Sequence, residues 1–301
     1  MIKRKAYAKI NLALDVLGTL PNGYHEVAMV MQTVDLFDEL NFESFSASGE
    51  KPEDRIRLSL SMGKTKNADK KSGGIGADKD NIVYKAALAM LDRMPEGKGI
   101  EISLKKNIPI AAGMAGGSTD AAATLRGINE LFELGLTDED LCSIGVKLGA
   151  DVPYCIVGGT CLAEGIGERL TKLPDLPRLN LVIAKPEAGV STKTVYTELD
   201  KVIDKAKHPD VKAMTEAVKA GDKAEIAGQL GNILEAVTIP ACPEIGEIKI
   251  LLAEAGAEGV LMSGSGPTVF GIFKDKDGAE WGAEVLKAGS PATFIAVTET
   301  V

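Results

Sequence analysis

The chain has 301 residues, 45% of them hydrophobic and 26% charged. That length suits about two domains and a core that needs neither disulfides nor a structural metal. Its 43 acidic residues against 34 basic ones give a formal charge of −9. This excludes a general nucleic-acid binder, which needs a net basic face, but leaves room for a local basic pocket that takes a phosphorylated small molecule. The cysteines at 142, 155, 161 and 242 form no C-x-x-C pair, and the only histidines are His25 and His208. No zinc spacing results, and reduced, mostly buried thiols in a cytosol are expected. The opening MIKRKAYAKINLAL lacks the apolar stretch and cleavage site of a signal peptide, and VAMVM is far short of a membrane span.

Residues 6–17 alternate, with Ala6, Ala8, Ile10, Leu12, Leu14 and Val16 on one face and Tyr7, Lys9, Asn11, Ala13 and Asp15 on the other. That period predicts a strand, and it points Lys9 and Asn11 the same way. A turn at Pro21-Asn22-Gly23 leads to a second strand, VAMVMQTVDL, and RIRLSLSM alternates as a third. Residues 63–80, GKTKNADKKSGGIGADKD, are polar with nothing to bury and are expected to form a mobile surface excursion.

A helix is expected from Asp80-Asn81 to Met94, stopped by Pro95, then a strand GIEISL and a Gly/Ala-rich segment at 109–120. The next helix is expected from about Thr119 to Leu134. Thr137 can cap another that ends near Gly149, followed by Asp151 and an apolar strand. From about 160 the pattern changes to strand LVIAKP, helical segments over most of 192–236, and a helix near 244–255. Strands GVLMS and TVFGIF, a helix near 278–288 and strand ATFIAVT complete the chain. This order is compatible with a split βαβ, ferredoxin-like sandwich, and places a domain boundary near 160.

Two glycine clusters stand out. In NIPIAAGMAGGSTDAAA (107–123), Gly113, Gly116 and Gly117 let backbone approach a ligand closely, and Ser118 and Thr119 bring hydroxyls to a helix start. Free N–H groups and the helix dipole there favour an anion such as the triphosphate of ATP. It is neither a Walker A loop nor a dinucleotide fingerprint, and a tight turn packed with alanine explains it equally well. The second cluster, Ser263-Gly264-Ser265-Gly266, lies between two apolar strands and by itself reads as a hairpin turn. Two such loops together point to a cleft with a phosphorylated ligand. Asp151 stands before Val152-Pro153, where proline stiffens the chain. A carboxylate behind a helix end needs a cationic partner, unless it only closes an Asx-turn.

Taken together these segments resemble the small-molecule kinase superfamily of galactokinase, homoserine kinase, mevalonate kinase and phosphomevalonate kinase (GHMP kinases). P-x-x-x-G-x-x-G-G-S-T (109–119) is similar to its second motif and SGSGPTVF (263–270) to its third. Within it, AYAKINLALDV, NGYHEV, DNIVYKA, IPIAAGMAGGSTDAA, LGADVPY and the ST…VY stretch at 191–196 resemble the 4-diphosphocytidyl-2-C-methyl-D-erythritol kinase family. The match runs from residue 6 to residue 270, and AKINL with GYHE is its most specific part. Ala115 departs from the glycine many relatives carry, and 63–80 is longer than the family leads one to expect.

The resemblance implies an α+β, two-domain GHMP kinase fold. Residues 1–160 would form the N-terminal domain, like domain 2 of ribosomal protein S5, and residues 161–301 a C-terminal ferredoxin-like domain, with ATP and substrate in the cleft between. It implies ATP-dependent phosphorylation of the 2-hydroxyl of 4-diphosphocytidyl-2-C-methyl-D-erythritol to the 2-phosphate, in the non-mevalonate route to isopentenyl diphosphate and terpenoids, in a bacterial cytosol. The catalytic pair matches Lys9 and Asp151. ATP would be held by Asn81 and Lys106 near the adenine, and by Pro109, Ala111, Ala112, Gly113, Met114, Ala115, Gly116, Gly117, Ser118 and Thr119. The third motif would contribute Ser263, Gly264, Ser265 and Gly266. Tyr24 and Tyr196 would sandwich the cytosine, His25 would hydrogen-bond it, and Asn11 and Thr192 would contact the substrate. Mg²⁺ is expected between the β- and γ-phosphates with few protein ligands, the Ser118 hydroxyl being the candidate. No nucleic acid, membrane or protein partner is implied. A different kinase of the superfamily, or a non-catalytic nucleotide binder on the same fold, are the competing readings. NGYHEV argues against the first, and the presence of both Lys9 and Asp151 against the second.

Overall fold

The computed structural model describes residues 1–21, 23–49, 51–63 and 76–301. Of the polar stretch 63–80, residues 64–75 lie outside the described residues, as does Asn22 of NGYHEV. The chain divides into two compact units, the first of Met1–Ala8, Leu36–Ile110 and Ala115–Val157, the second of Lys9–Asp35, Ala111–Met114 and Gly158–Val301. Two long strands, β1 (Ile2–Thr19) and β2 (His25–Ser46), contribute residues to both units.

In the first unit a short helix α1 (Pro52–Arg55) leads into β3 (Ile56–Met62). Helix α2 (Ile82–Met90) follows, then β4 (Lys98–Lys106), α3 (Gly116–Leu131), α4 (Asp138–Gly145) and α5 (Val152–Val157). Strand β4 is antiparallel to β2, with Glu39 opposite Lys105 and Ser46 opposite Lys98, and parallel to β3, with Ile56 opposite Ile100. The apolar face of that sheet supplies Phe42, Ile100, Ile102 and Leu104 to a core completed by Val83, Ala86 and Met90 of α2 and Ala121, Ala122, Leu125 and Ile128 of α3. Residues 121, 125 and 128 follow a helical period, and the small Ala121 and Ala122 at the start of that face let α3 lie close to its neighbours.

The boundaries differ from the sequence reading at three places that bear on function. Helix α3 begins at Gly116, three residues before Thr119, so its glycines are helical rather than loop. Helix α4, started by a Thr137–Asp140 capping box, ends at Gly145 rather than near Gly149. Residues 152–157 are helix, not strand. Proline at the second position of a helix loses no hydrogen bond, since the first-turn N–H groups have no partner within the helix. Asp151 therefore precedes a helix, and its carbonyl accepts from Cys155 N at 3.1 Å.

In the second unit β5 (Thr160–Gly165) is antiparallel to β2, with Val27 opposite Gly165, and β6 (Arg169–Lys172) returns beside β5, a hairpin the sequence reading missed. Strand β7 (Asn180–Pro186) is followed by α6 (Thr192–Leu199), α7 (Val211–Ala220) and α8 (Lys223–Gly228). The two-residue β8 (Gly231–Asn232) lies parallel to β1, and α9 (Glu235–Ala241) follows it. Then come α10 (Glu244–Glu254), β9 (Gly259–Met262), β10 (Val269–Phe273), α11 (Lys276–Gly289) and β11 (Ala292–Glu299). The sheet order β11-β7-β10-β9 is antiparallel throughout. With α10 and α11 as its helices this is the ferredoxin-like arrangement expected. Both faces of β1 are buried over residues 8–16, so the side expected to be polar carries Lys9, Asn11 and Asp15 into the interior.

Candidate active site

In the second unit the candidate residues converge on β1. Lys9 is 5% exposed, and its Nζ donates to Asn11 Oδ1 at 2.6 Å. Asn11 is fully buried, and its Nδ2 faces Met29 Sδ at 3.4 Å. A buried ammonium is tolerated only with partners of this kind. The Lys9 backbone N–H donates to Met114 O at 3.2 Å, which ties residues 111–114 to the strand.

Those residues meet the second glycine cluster directly. Ser263 Oγ donates to Gly113 O at 3.0 Å. Gly113 has φ 71°, and a Cβ there would stand 2.2 Å from Ser263 O and 3.1 Å from Gly266 N. Gly264, at φ 56°, would put a Cβ 2.9 Å from Gly113 O. The two clusters, 150 residues apart, thus pack backbone against backbone, and each requires glycine at the contact. Asn232, absent from the sequence reading, braces this turn: its Nδ2 donates to both Met262 O and Gly264 O at 2.8 Å. Thr238 Oγ1 reaches Ser265 O at 3.3 Å, and Thr192 Oγ1 lies 2.9 Å from Ser265 Oγ.

Two of the candidate base-binding residues also meet. The His25 and Tyr196 rings lie 4.8 Å apart, tilted by 45°. His25 Nε2 is 2.8 Å from Asp200 Oδ1, while Tyr24 is 59% exposed.

In the first unit the start of α3 has no side-chain cap. Its N-cap residue, Ala115, sits in the left-handed region at φ 56°, and Ala111 of the second unit does so too at φ 50°. The first helical N–H groups, of Gly116, Gly117 and Ser118, precede the first bond of the helix, Thr119 N to Ala115 O. An uncapped N-terminus of a sixteen-residue helix fits an anion. Thr119 is buried and Ser118 partly exposed; a Cβ built on Gly149 would lie 3.8 Å from Ser118 Oγ, so the chain just before Asp151 passes close to this helix start. Pro109 is half-buried ahead of it.

Asn81 and Lys106 are engaged within the fold. Asn81 caps α2, accepting from Val83 N at 2.9 Å and donating to Gly76 O at 2.7 Å. Lys106 is 1% exposed and forms a buried triad. Its Nζ bonds Asp38 Oδ2, donates to Asp120 Oδ2 at 2.6 Å and reaches Gly116 O at 3.5 Å. Asp38 Oδ1 in turn accepts from the backbone N–H groups of Asn107 and Ile108. Burial works against the Lys106 ammonium, but the Asp120 and Asp38 charges outweigh it and raise its pKa. Burial, aided by Asp38 and opposed by Lys106, pushes the Asp120 carboxyl well above the usual carboxylate range. Asp120 and Asp38 escaped the sequence reading. Asp120 follows Thr119 in the glycine segment, and that position was the available signal.

Among the described residues no cluster of three or more His, Cys, Asp or Glu side chains could hold a metal, and no helix is long and apolar enough to cross a membrane. All four cysteines are free thiols.

This fold, with two glycine clusters in contact and an uncapped helix start, defines a small-molecule kinase of the GHMP class: the family model "GHMP kinases N terminal domain" matches residues 81–159 and "GHMP kinases C terminal" matches 214–289. A 4-diphosphocytidyl-2-C-methyl-D-erythritol kinase of Lachnospira eligens is 47% identical over 99% of this chain and 98% of its own. One of Exiguobacterium sibiricum is 49% identical over 92% and 90%. A crystal structure of 4-(cytidine 5'-diphospho)-2C-methyl-D-erythritol kinase superposes with a TM-score of 0.78 at 31% identity, covering all of both chains. The mevalonate kinase of L. major, at 19% identity and a TM-score of 0.76 over 100% and 96% of the two chains, shares the fold. The chain belongs to the 4-diphosphocytidyl-2-C-methyl-D-erythritol kinase family.

Proposed function

We propose that this protein transfers the γ-phosphoryl group of ATP to the 2-hydroxyl of 4-diphosphocytidyl-2-C-methyl-D-erythritol, giving the 2-phosphate and ADP, in the cytosolic non-mevalonate route to isoprenoids. The observation that carries the reading is the uncapped start of α3, where the N–H groups of Gly116, Gly117 and Ser118 precede the first helix bond and so suit a phosphate. The domains are taken as 1–160 and 161–301.

In this reading the residues 109–119 and 263–266 hold the triphosphate, and the α3 N-terminus faces its negative charge. The substrate hydroxyl attacks the γ-phosphorus in line; its oxygen gains the bond to phosphorus as the bond to the ADP oxygen breaks. Asp151 accepts the hydroxyl proton late in the step. Lys9, held by Asn11, supplies a fixed positive charge, and such preorganised charge contributes more than base strength in phosphoryl transfer. Tyr24 and Tyr196 enclose the cytosine and His25 hydrogen-bonds it, with Asn11 and Thr192 on the remainder of the substrate. Asn81 and Lys106, whose polar ends are occupied by the fold, act near the adenine by shaping the backbone around it. Mg²⁺ would arrive with the nucleotide, and the partly exposed Ser118 hydroxyl is the hard oxygen donor that would hold it from the protein side. When bound it neutralises charge on the β- and γ-phosphates.

A coupled assay with the cytidyl substrate, mevalonate and homoserine tests the reading. Turnover is expected with the first alone. Asp151→Asn and Lys9→Met should abolish it while an ATP analogue still binds. Tyr24→Ala should weaken the cytidyl substrate by about 5- to 150-fold and leave ATP affinity in place. A wild-type protein that binds no cytidine compound would overturn the assignment.

A further inference from the structure

Tyr196 and Asp200 are four residues apart, one turn along the end of α6, so both project from the same side of it. Both reach His25, the Tyr196 ring at 4.8 Å and the Asp200 carboxylate at 2.8 Å from Nε2. Asp200 is the C-cap residue of α6, where a negative charge opposes the helix dipole, so its placement does not serve the helix. What it serves is the imidazole, whose side chain is 14% exposed beside a carboxylate that is 45% exposed.

We propose that Asp200 is a positioning residue that sets base selectivity, by holding His25 in the tautomer protonated at Nε2. An ionised carboxylate only accepts, so the atom facing it must carry the hydrogen. The neutral ring then has Nδ1 as its acceptor. Cytosine presents a 4-amino donor to such an acceptor, whereas uracil presents a 4-oxo acceptor. Nδ1 thus accepts from the amine of cytosine and opposes the carbonyl of uracil, which rejects the wrong base by an unpaired, repelling contact. The same logic governs histidines oriented by a carboxylate in hydrolase triads, where an amide in place of the acid keeps the geometry and loses the tautomer. The inference rests on the reading that a cytidine base lies against His25.

The test compares wild type with Asp200→Asn and Asp200→Ala on cytidine- and uridine-diphosphate-linked methylerythritol. The ratio of kcat/KM for cytidine over uridine should fall by about three- to tenfold, a modest change in keeping with a half-exposed pair. The KM for ATP should not move. In parallel, imidazole ¹⁵N spectra read the tautomer without any substrate. Only His25 and His208 contribute, and His208→Gln separates them. The wild-type His25 should carry its hydrogen on Nε2, and Asp200→Asn should give a mixture. A wild-type ring protonated at Nδ1 overturns the proposal. So does an unchanged cytidine-to-uridine ratio with both KM values raised together, because Asp200 would then only anchor α6. A wild type that takes neither nucleotide substrate overturns the function reading and the selectivity with it; that result appears before any substitution is made.

Discussion

Ser263 Oγ donates to the carbonyl of Gly113 at 3.0 Å, and a Cβ at Gly113 would sit 2.2 Å from the Ser263 carbonyl. The residues are 150 positions apart, yet each fixes the other's backbone. Gly113→Ala must therefore move backbone as well as adopt φ 71°. The expected loss is at least about 2 kcal/mol of stability, with kinase activity lost together with it. Gly264→Ala, whose Cβ would meet Gly113 O at 2.9 Å, should cost less. Urea unfolding of both variants beside an ATP-binding titration checks the order.

Ala115 offers the opposite test. At φ 56° it pays the left-handed penalty of an L-residue, about 1–2 kcal/mol, at the N-cap of α3. Glycine removes that strain but adds unfolded-state entropy of about 0.4–1 kcal/mol. Ala115→Gly should come out between neutral and stabilising by about 1.5 kcal/mol, with activity retained. A clear drop in the melting temperature would show that the methyl group packs.

The Asp38–Lys106–Asp120 triad supplies a prediction with a pH sign. Lys106→Met leaves two buried carboxylates facing each other without a cation and should cost about 3–5 kcal/mol near neutral pH. Asp120 holds its proton more tightly in the folded state than in the unfolded chain. Its contribution to stability is therefore full below the ordinary carboxylate pKa and is lost as pH rises through the higher folded value. Asp120→Asn removes that titration, so wild type should lose stability relative to it as pH climbs from the acid side. Unfolding free energies of the pair across that range read the slope, and a flat difference would count against it.

Asn232 braces the 262–266 turn by donating to two carbonyls, and it is buried. Asn232→Asp replaces the donor with an acceptor against two acceptors. The expected cost is about 2–4 kcal/mol, with a raised KM for ATP. Asn232→Ser, shorter but still a donor, should fall between. Equal ATP kinetics in all three proteins would separate the turn from nucleotide binding.

Much of the fold is legible in local pattern. Alternation over residues 6–17 marks β1, and Thr137 and Asn81 announce the helices they cap. Local pattern fails where chemistry of the next residues competes with it. Pro153 reads as a break, yet in a first helical turn it costs no hydrogen bond, and Asp151 ends up before a helix instead of behind one. Ser118 and Thr119 read as the helix start because hydroxyls cap helices, whereas here α3 starts uncapped at Gly116.

By itself the sequence determined the strand periods and the two glycine clusters, because each rests on residues within one element's length, and the order of its motifs from residue 6 to residue 270 pointed to the family and, through it, to Lys9 and Asp151 as candidates. Tertiary structure alone decided which groups meet: Gly113 with Ser263, Lys106 with Asp38 and Asp120, His25 with Asp200. Such pairs span 14 to 175 positions, so no periodicity encodes them. They form because a buried ammonium, carboxylate or amide must find a partner once folding removes its water, and the partner is whichever group the packed strands bring within reach.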